Sequence, residues 1–113
     1  MPPSDLVRLQ HMLDAAREAV VFGTGRAAAD LRKDRVLTLA LVKCIEIVGE
    51  AASKMTVETR AAHAGIPWTD IVGMRNRLIH AYFDVDVERV CDTITADLPP
   101  LITQLEQILA GAE

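Results

Sequence analysis

Aromatic residues make up only 4% of the 113-residue chain. So sparse a supply argues against a β-sandwich, whose strands draw on aromatic and β-branched side chains, and it favours helices. Cysteine is scarcer still: Cys44 and Cys91 lie inside apolar helical patterns without the close pairing that a zinc site or redox motif requires. Both read as buried thiols of a protein kept in a reducing cytoplasm. No apolar run approaches the roughly 20 residues that span a bilayer. The opening "MPPSDLVRLQ" has no cationic start followed by an apolar stretch, so no membrane is expected and the cytoplasm is the expected location. Positive charge is also in deficit, with 12 Lys and Arg against 16 Asp and Glu for a net charge of −4. No protein-wide field exists to gather nucleic acid, so any such contact must be local. The chain offers no glycine-rich phosphate loop, nucleophile triad, carboxylate pair or metal-ligand cluster, and neither a cofactor nor a metal is expected.

What the chain does have is apolar periodicity, with 50% hydrophobic residues against 25% charged ones. A single domain over residues 1–113 is the expectation, since a chain of this size buries enough surface for a core without staples. Ser4 or Asp5 offers a cap for a first helix in which Leu6, Leu9, Leu13, Ala16 and Val20 recur at steps of three and four. "FGTG", residues 22–25, ends it. A second helix from near Asp30 carries Leu37, Leu41, Cys44, Ile45, Val48, Ala52 and Met55 on one stripe. Val36, Ala40, Ile47 and Ala51 widen that stripe, so this helix is expected to meet two neighbours. Thr56 to Ala62 reads as a short helix ended by Gly65, and Pro67 with Asp70 suits the first turn of the next. Asp84 or Asp86 can cap the last helix, which Pro99 and Pro100 should kink. The expected fold is all-α, an antiparallel helical bundle of four long helices and one short one.

The fourth helix holds an unusual concentration of polar chemistry in "GMRNRLIHAYFDVD", residues 73–86. Asn76 and His80 are four apart and would share a helical face, whereas Arg75 would lie about 140° round from His80. Histidine exchanges protons near neutral pH, and arginine grips two phosphate oxygens in its planar fork. Such a pair suits metal-independent RNA cleavage, in which a 2′-hydroxyl is deprotonated and attacks the adjacent phosphate. An Arg with a His five residues later is nonetheless a short pattern. A bland reading stays open, in which Arg75 and Arg77 pair with carboxylates, Asn76 faces water and Tyr82 packs at a helix junction.

The segment "PWTDIVGMRNRLIHAYFDVD" resembles the signature of HepT-like proteins, a branch of the HEPN superfamily, in which an Arg is followed by four to six residues, a His, one residue and a Tyr. Arg75, His80 and Tyr82 match that motif. "IEIVGEAASKM", the "IPW" helix start and "DLPPL" lie in the matching order, so the resemblance covers roughly residues 30–105. It implies an all-α homodimer that acts as a ribonuclease toxin on RNA such as tRNA or mRNA. Arg75 and His80 would be catalytic, with Asn76 in support, and would face the partner's motif across a cleft. It also implies an antitoxin, a minimal nucleotidyltransferase, which in some members AMPylates the motif tyrosine, here Tyr82. An adenylyl group there would add charge and bulk beside the histidine. Arg77 matches no motif position and is taken as an auxiliary phosphate contact, and Glu50 as a support for Arg75 or Arg77. His11 is expected to face solvent, His63 to close the short helix, and Trp68 to anchor the core. The alternative function is a non-catalytic module that binds a nucleotide or a nucleotidyltransferase.

Overall fold

A computed structural model describes residues 1–81 and 84–111. The first helix, α1 (Pro3–Gly23), begins on a proline, whose missing amide proton would have had no partner in a first turn. Neither Ser4 nor Asp5 caps it. Asp5 is instead fully buried and accepts hydrogen bonds from the hydroxyls of Thr56 and Thr59, each at 2.6 Å. The break after α1 uses Gly25 at φ 75°, a left-handed conformation that suits glycine.

The expected second helix is divided at Asp34 into α2 (Ala28–Lys33) and α3 (Arg35–Ser53). Asp34 leaves helical geometry at φ −126°, ψ 87°, and its carboxylate caps α3 by accepting from the Leu37 amide at 3.0 Å. This replaces a helix interior with a fresh N-terminus. Helices α1 and α3 pack along each other through Leu9, Met12, Leu41 and Ile45, all fully buried. The expected second neighbour of α3 is present, since the helices Trp68–Val72 and Met74–Leu78 also pack on it, but it uses little of the widening set. Val36 is 80% exposed and Ile47 37% exposed, and of the widening set only Ala51 is buried.

The short helix α4 (Val57–Ala62) follows the sequence pattern, with the Thr56 hydroxyl accepting from the Thr59 amide. Next come α5 (Trp68–Val72) and α6 (Met74–Leu78), joined at Gly73. Trp68 is buried as a core anchor and its indole N–H donates to the His63 carbonyl at 3.1 Å. His63 caps the C-terminal end of α4, and His11 is exposed.

Here the sequence reading needs correction, because the fourth helix stops at Leu78. Ile79–Ala81 forms strand β1, which pairs antiparallel with β2 (Asp84–Val85), Ile79 opposite Val85. A further backbone bond, from the Asp86 amide to the Leu78 carbonyl at 2.7 Å, closes the base of this hairpin. The ladder satisfies backbone groups that a helix would have paired internally, and β-branched Ile79 and Val85 suit the extended form. Tyr82 lies outside the described residues.

Asp86, not Asp84, caps α7 (Val87–Asp92), accepting from the Arg89 amide at 3.0 Å. A π-helical turn, Thr93–Asp97, then leads into α8 (Leu98–Gly111). Pro99 and Pro100 supply no amide proton and would crowd the carbonyls of the preceding turn, and the wider π turn relieves that crowding without ending the helix. Cys44 is buried as expected, but Cys91 is only half-buried, because α7 turns only Val90 fully inward. Apart from the hairpin, every regular element among the described residues is helical, and no helix there is long and apolar enough to cross a membrane.

One contact fixes where α5 and α6 sit. A Cβ built on Gly49 of α3 would stand 3.1 Å from the Ile71 carbonyl oxygen and 3.4 Å from that of Val72. Only a residue with no side chain lets the backbones approach so closely, as the small residues of "GEAA" suggest. Gly49→Val is expected to lower stability by about 1–3 kcal/mol through overpacking, read as a lower thermal midpoint by circular dichroism.

Candidate functional site

The Arg75 side chain leaves α6 toward α3 and reaches Glu46, with Nε 3.3 Å from Oε2. Lys43 donates to the same carboxylate at 3.1 Å. The Lys43 hydrogen bond first, with Arg75 adding to it, holds the Glu46 carboxyl below its ordinary range. Arg75 remains 47% exposed, so its guanidinium is positioned yet open to a ligand. Asn76 adjoins it in a shallow depression of about 230 Å³ that Gly49, Glu50 and Ser53 also line. The close approach at Gly49 is what brings this end of α6 against α3.

Glu50 does not hold an arginine. It pairs with Lys54, 3.9 Å away and one turn along its own helix, and merely borders the depression. The acid that fixes Arg75 is Glu46, one turn earlier on the same helix. Sequence reasoning missed it because both acids fall near the apolar stripe of α3. The spacing of Lys43 and Glu46 was the available signal.

Arg77 turns away from Arg75. Its guanidinium donates to the Asp70 carbonyl at 2.7 Å and lies 3.8 Å from the Asp70 carboxylate. It borders a second cleft, between α5–α6 and the last helices.

His80 stands on β1 rather than on a helix, so the shared helical face with Asn76 does not form. The imidazole is 62% exposed, with Nε2 3.4 Å from Asp86 Oδ2. Asp86 therefore does two things, capping α7 and facing the histidine. Its carboxyl is held below the ordinary range, chiefly by the hydrogen bond from the Arg89 amide and further by the nearness of His80. The sequence identified Asp86 only as a cap. Within one chain Arg75 and His80 have separate carboxylate partners, and His80 does not line the Arg75 depression. An imidazole oriented by a carboxylate can relay a proton, and an arginine held by one edge can bind a phosphate with the other.

A family described as Ribonuclease HepT-like matches residues 12–108. Among similar proteins, "Putative RNase TTE0752" of Caldanaerobacter subterraneus subsp. tengcongensis is 39% identical over 101 residues, 89% of this chain and 90% of its own length. "Putative RNase MJ1216" of Methanocaldococcus jannaschii is 29% identical over 100% of this chain and 94% of its own. "Probable ribonuclease HepT" of Thermococcus cleftensis is 35% identical over 79 residues, 70% of this chain and 72% of its own. No solved structure matches.

Proposed function

The chain belongs to the HepT-like ribonuclease family, and from that premise we propose that it is a metal-independent endoribonuclease, the toxin of a toxin–antitoxin pair. The observation that carries this reading is the solvent-open His80 backed by Asp86, five residues from an Arg75 already fixed by Glu46. In the reaction, His80 takes the proton of a 2′-hydroxyl as that oxygen attacks the adjacent phosphorus. Arg75 neutralises charge building on the phosphoryl oxygens. The bond from phosphorus to the 5′-oxygen breaks, that oxygen receives the proton back from His80, and a 2′,3′-cyclic phosphate remains. Asn76, in the Arg75 depression, orients the phosphate.

Arg75 and His80 point to different partners within one chain, and a homodimer resolves this by placing Arg75 of one copy near His80 of the other across a shared groove. The partner antitoxin is a minimal nucleotidyltransferase, and its target is the Tyr82 hydroxyl. An adenylyl group two residues from His80 brings a negative charge where RNA phosphate must enter. The second reading, a module that binds nucleotides without cutting RNA, draws its support from the same separation of Arg75 and His80.

One experiment decides between them. The protein is incubated with tRNA and with total RNA in EDTA, and again with magnesium. Cleavage in EDTA to 2′,3′-cyclic phosphate ends is the expected result, and intact RNA under both conditions favours the binding module. Intact-mass measurement after incubation with the nucleotidyltransferase and ATP tests the switch. A gain of AMP that disappears in Tyr82→Phe is expected.

A further inference from the structure

We propose that the cleft between α5–α6 and the helices after the hairpin is a subsite for one RNA base, selective for bases that carry an amino group. The proposal rests on the ribonuclease reading above, because it assigns the cleft to the nucleotide beside the cleaved phosphate. The cleft encloses about 460 Å³, within the roughly 300–1,000 Å³ of small-molecule sites. Its floor is apolar, formed by the buried side chains of Ile71, Met74 and Leu101. That surface suits the face of a base.

The two ends of the cleft differ in chemistry. Helix α6 runs into the hairpin and α7 leaves it, so Arg89 borders the cleft near its hairpin end, while the Arg77 guanidinium is turned back to Asp70. His80 is carried by the same hairpin. Asp86 joins the two places, since it accepts from the Arg89 amide at 3.0 Å and lies 3.4 Å from His80 Nε2. The nucleotide attached to a phosphate at His80 therefore has the cleft to enter, with the Arg89 side chain at its border. The flat guanidinium of Arg89, which makes no ion pair among the described residues, can also stack on a base.

Further from the hairpin the cleft offers acceptors. Gln104 donates its Nε2 to the Gly65 carbonyl at 2.9 Å, which leaves its Oε1 to accept. Asp97 presents a carboxylate at the same wall, with no ion pair among the described residues. Two acceptors favour a base edge that offers two N–H donors, as the amino groups of adenine, cytosine and guanine do, over uracil, whose single N3–H is flanked by carbonyls that the acceptors repel.

Two measurements test this. Cleavage of a randomised RNA pool, read by sequencing the new ends, is expected to show uracil depleted at one position flanking the cut. Asp97→Ala is expected to relax that depletion by about tenfold. Ala96→Trp, which places an indole at the exposed rim of the cleft, is expected to slow cutting at amino-bearing sites by at least about tenfold with an unchanged melting temperature. Separately, NMR titration of the His80→Ala protein with AMP, CMP, GMP and UMP is expected to shift signals of Ile71 and Leu101 for the first three, and to lose those shifts in the added Ala96→Trp background. Cleavage without base preference, or UMP shifting those signals as strongly as CMP, overturns the subsite and leaves the ribonuclease standing. Amino-selective mononucleotide binding without any RNA cleavage overturns the ribonuclease and leaves the subsite.

Discussion

Alanine at His80 is expected to lower RNA cleavage by about 10²–10⁴-fold, the usual contribution of a positioned proton-transfer group. Arg75→Ala is expected to cost about 10²–10³-fold, by analogy with losing one charge-stabilising donor. Neither change should disturb folding. His80 is 62% exposed, and its contact with Asp86 is a solvent-screened surface pair that contributes little to stability. Arg75 is likewise half open, held by one carboxylate at the rim of α3. Both variants should therefore keep their melting temperatures while losing the cyclic-phosphate product in a single-turnover assay. If the proposed dimer combines Arg75 of one copy with His80 of the other, mixing the two variants regenerates some active sites, and cleavage recovers in part. Loss of activity with no recovery on mixing would place both groups in one chain's site. A wild-type rate in His80→Ala would remove the histidine from the chemistry.

The largest stability effect is expected far from that site, at Asp5. Its side chain is fully buried and receives the hydroxyls of Thr56 and Thr59 and, at 3.4 Å, the Thr56 amide, with Arg8 3.7 Å away. Asp5→Ala strands these donors in the interior, a loss of about 2–4 kcal/mol, or a fall in melting temperature on the order of 10 °C. The same network determines the response to acid. Burial alone pushes the Asp5 carboxyl up, but the hydrogen bonds from Thr56 and Thr59 outweigh it, so the folded value lies below the ordinary 3.8. A carboxyl lowered by folding stabilises the protein fully above its unfolded value and loses that contribution as pH falls through the folded one. Stability should thus decline below about pH 4. Asp5→Asn should show a shallower decline over the same range in urea titrations.

Much of the architecture was legible from periodicity and caps. The apolar steps along residues 6–20 and the Thr56 cap describe real elements, as do the core role of Trp68 and the close approach at Gly49. What escaped was decided by tertiary pairing. Nothing local in "RLIHAY" forbids another helical turn, and only the ladder between Ile79 and Val85 ends it. His80 was therefore placed in the right segment but on the wrong element. Glu50 and Glu46 are one turn apart with similar neighbours, and the distance across to α6, which sequence does not carry, chooses Glu46. Arg77 illustrates the same limit, because its partner Asp70 sits seven residues back, across the Gly73 junction.

The π turn at Thr93–Asp97 has a consequence for the phase of everything that follows it. An extra residue within one coil acts as a permanent insertion, offsetting the downstream leucine row by about 100° from where an unbroken α-helix would carry it. Leu98, Leu101 and Leu105 face the interior with that offset in place. Shortening residues 93–97 by one would restore ordinary winding and swing the leucines out of alignment with their neighbours, so in this stretch length is held more tightly than side-chain identity.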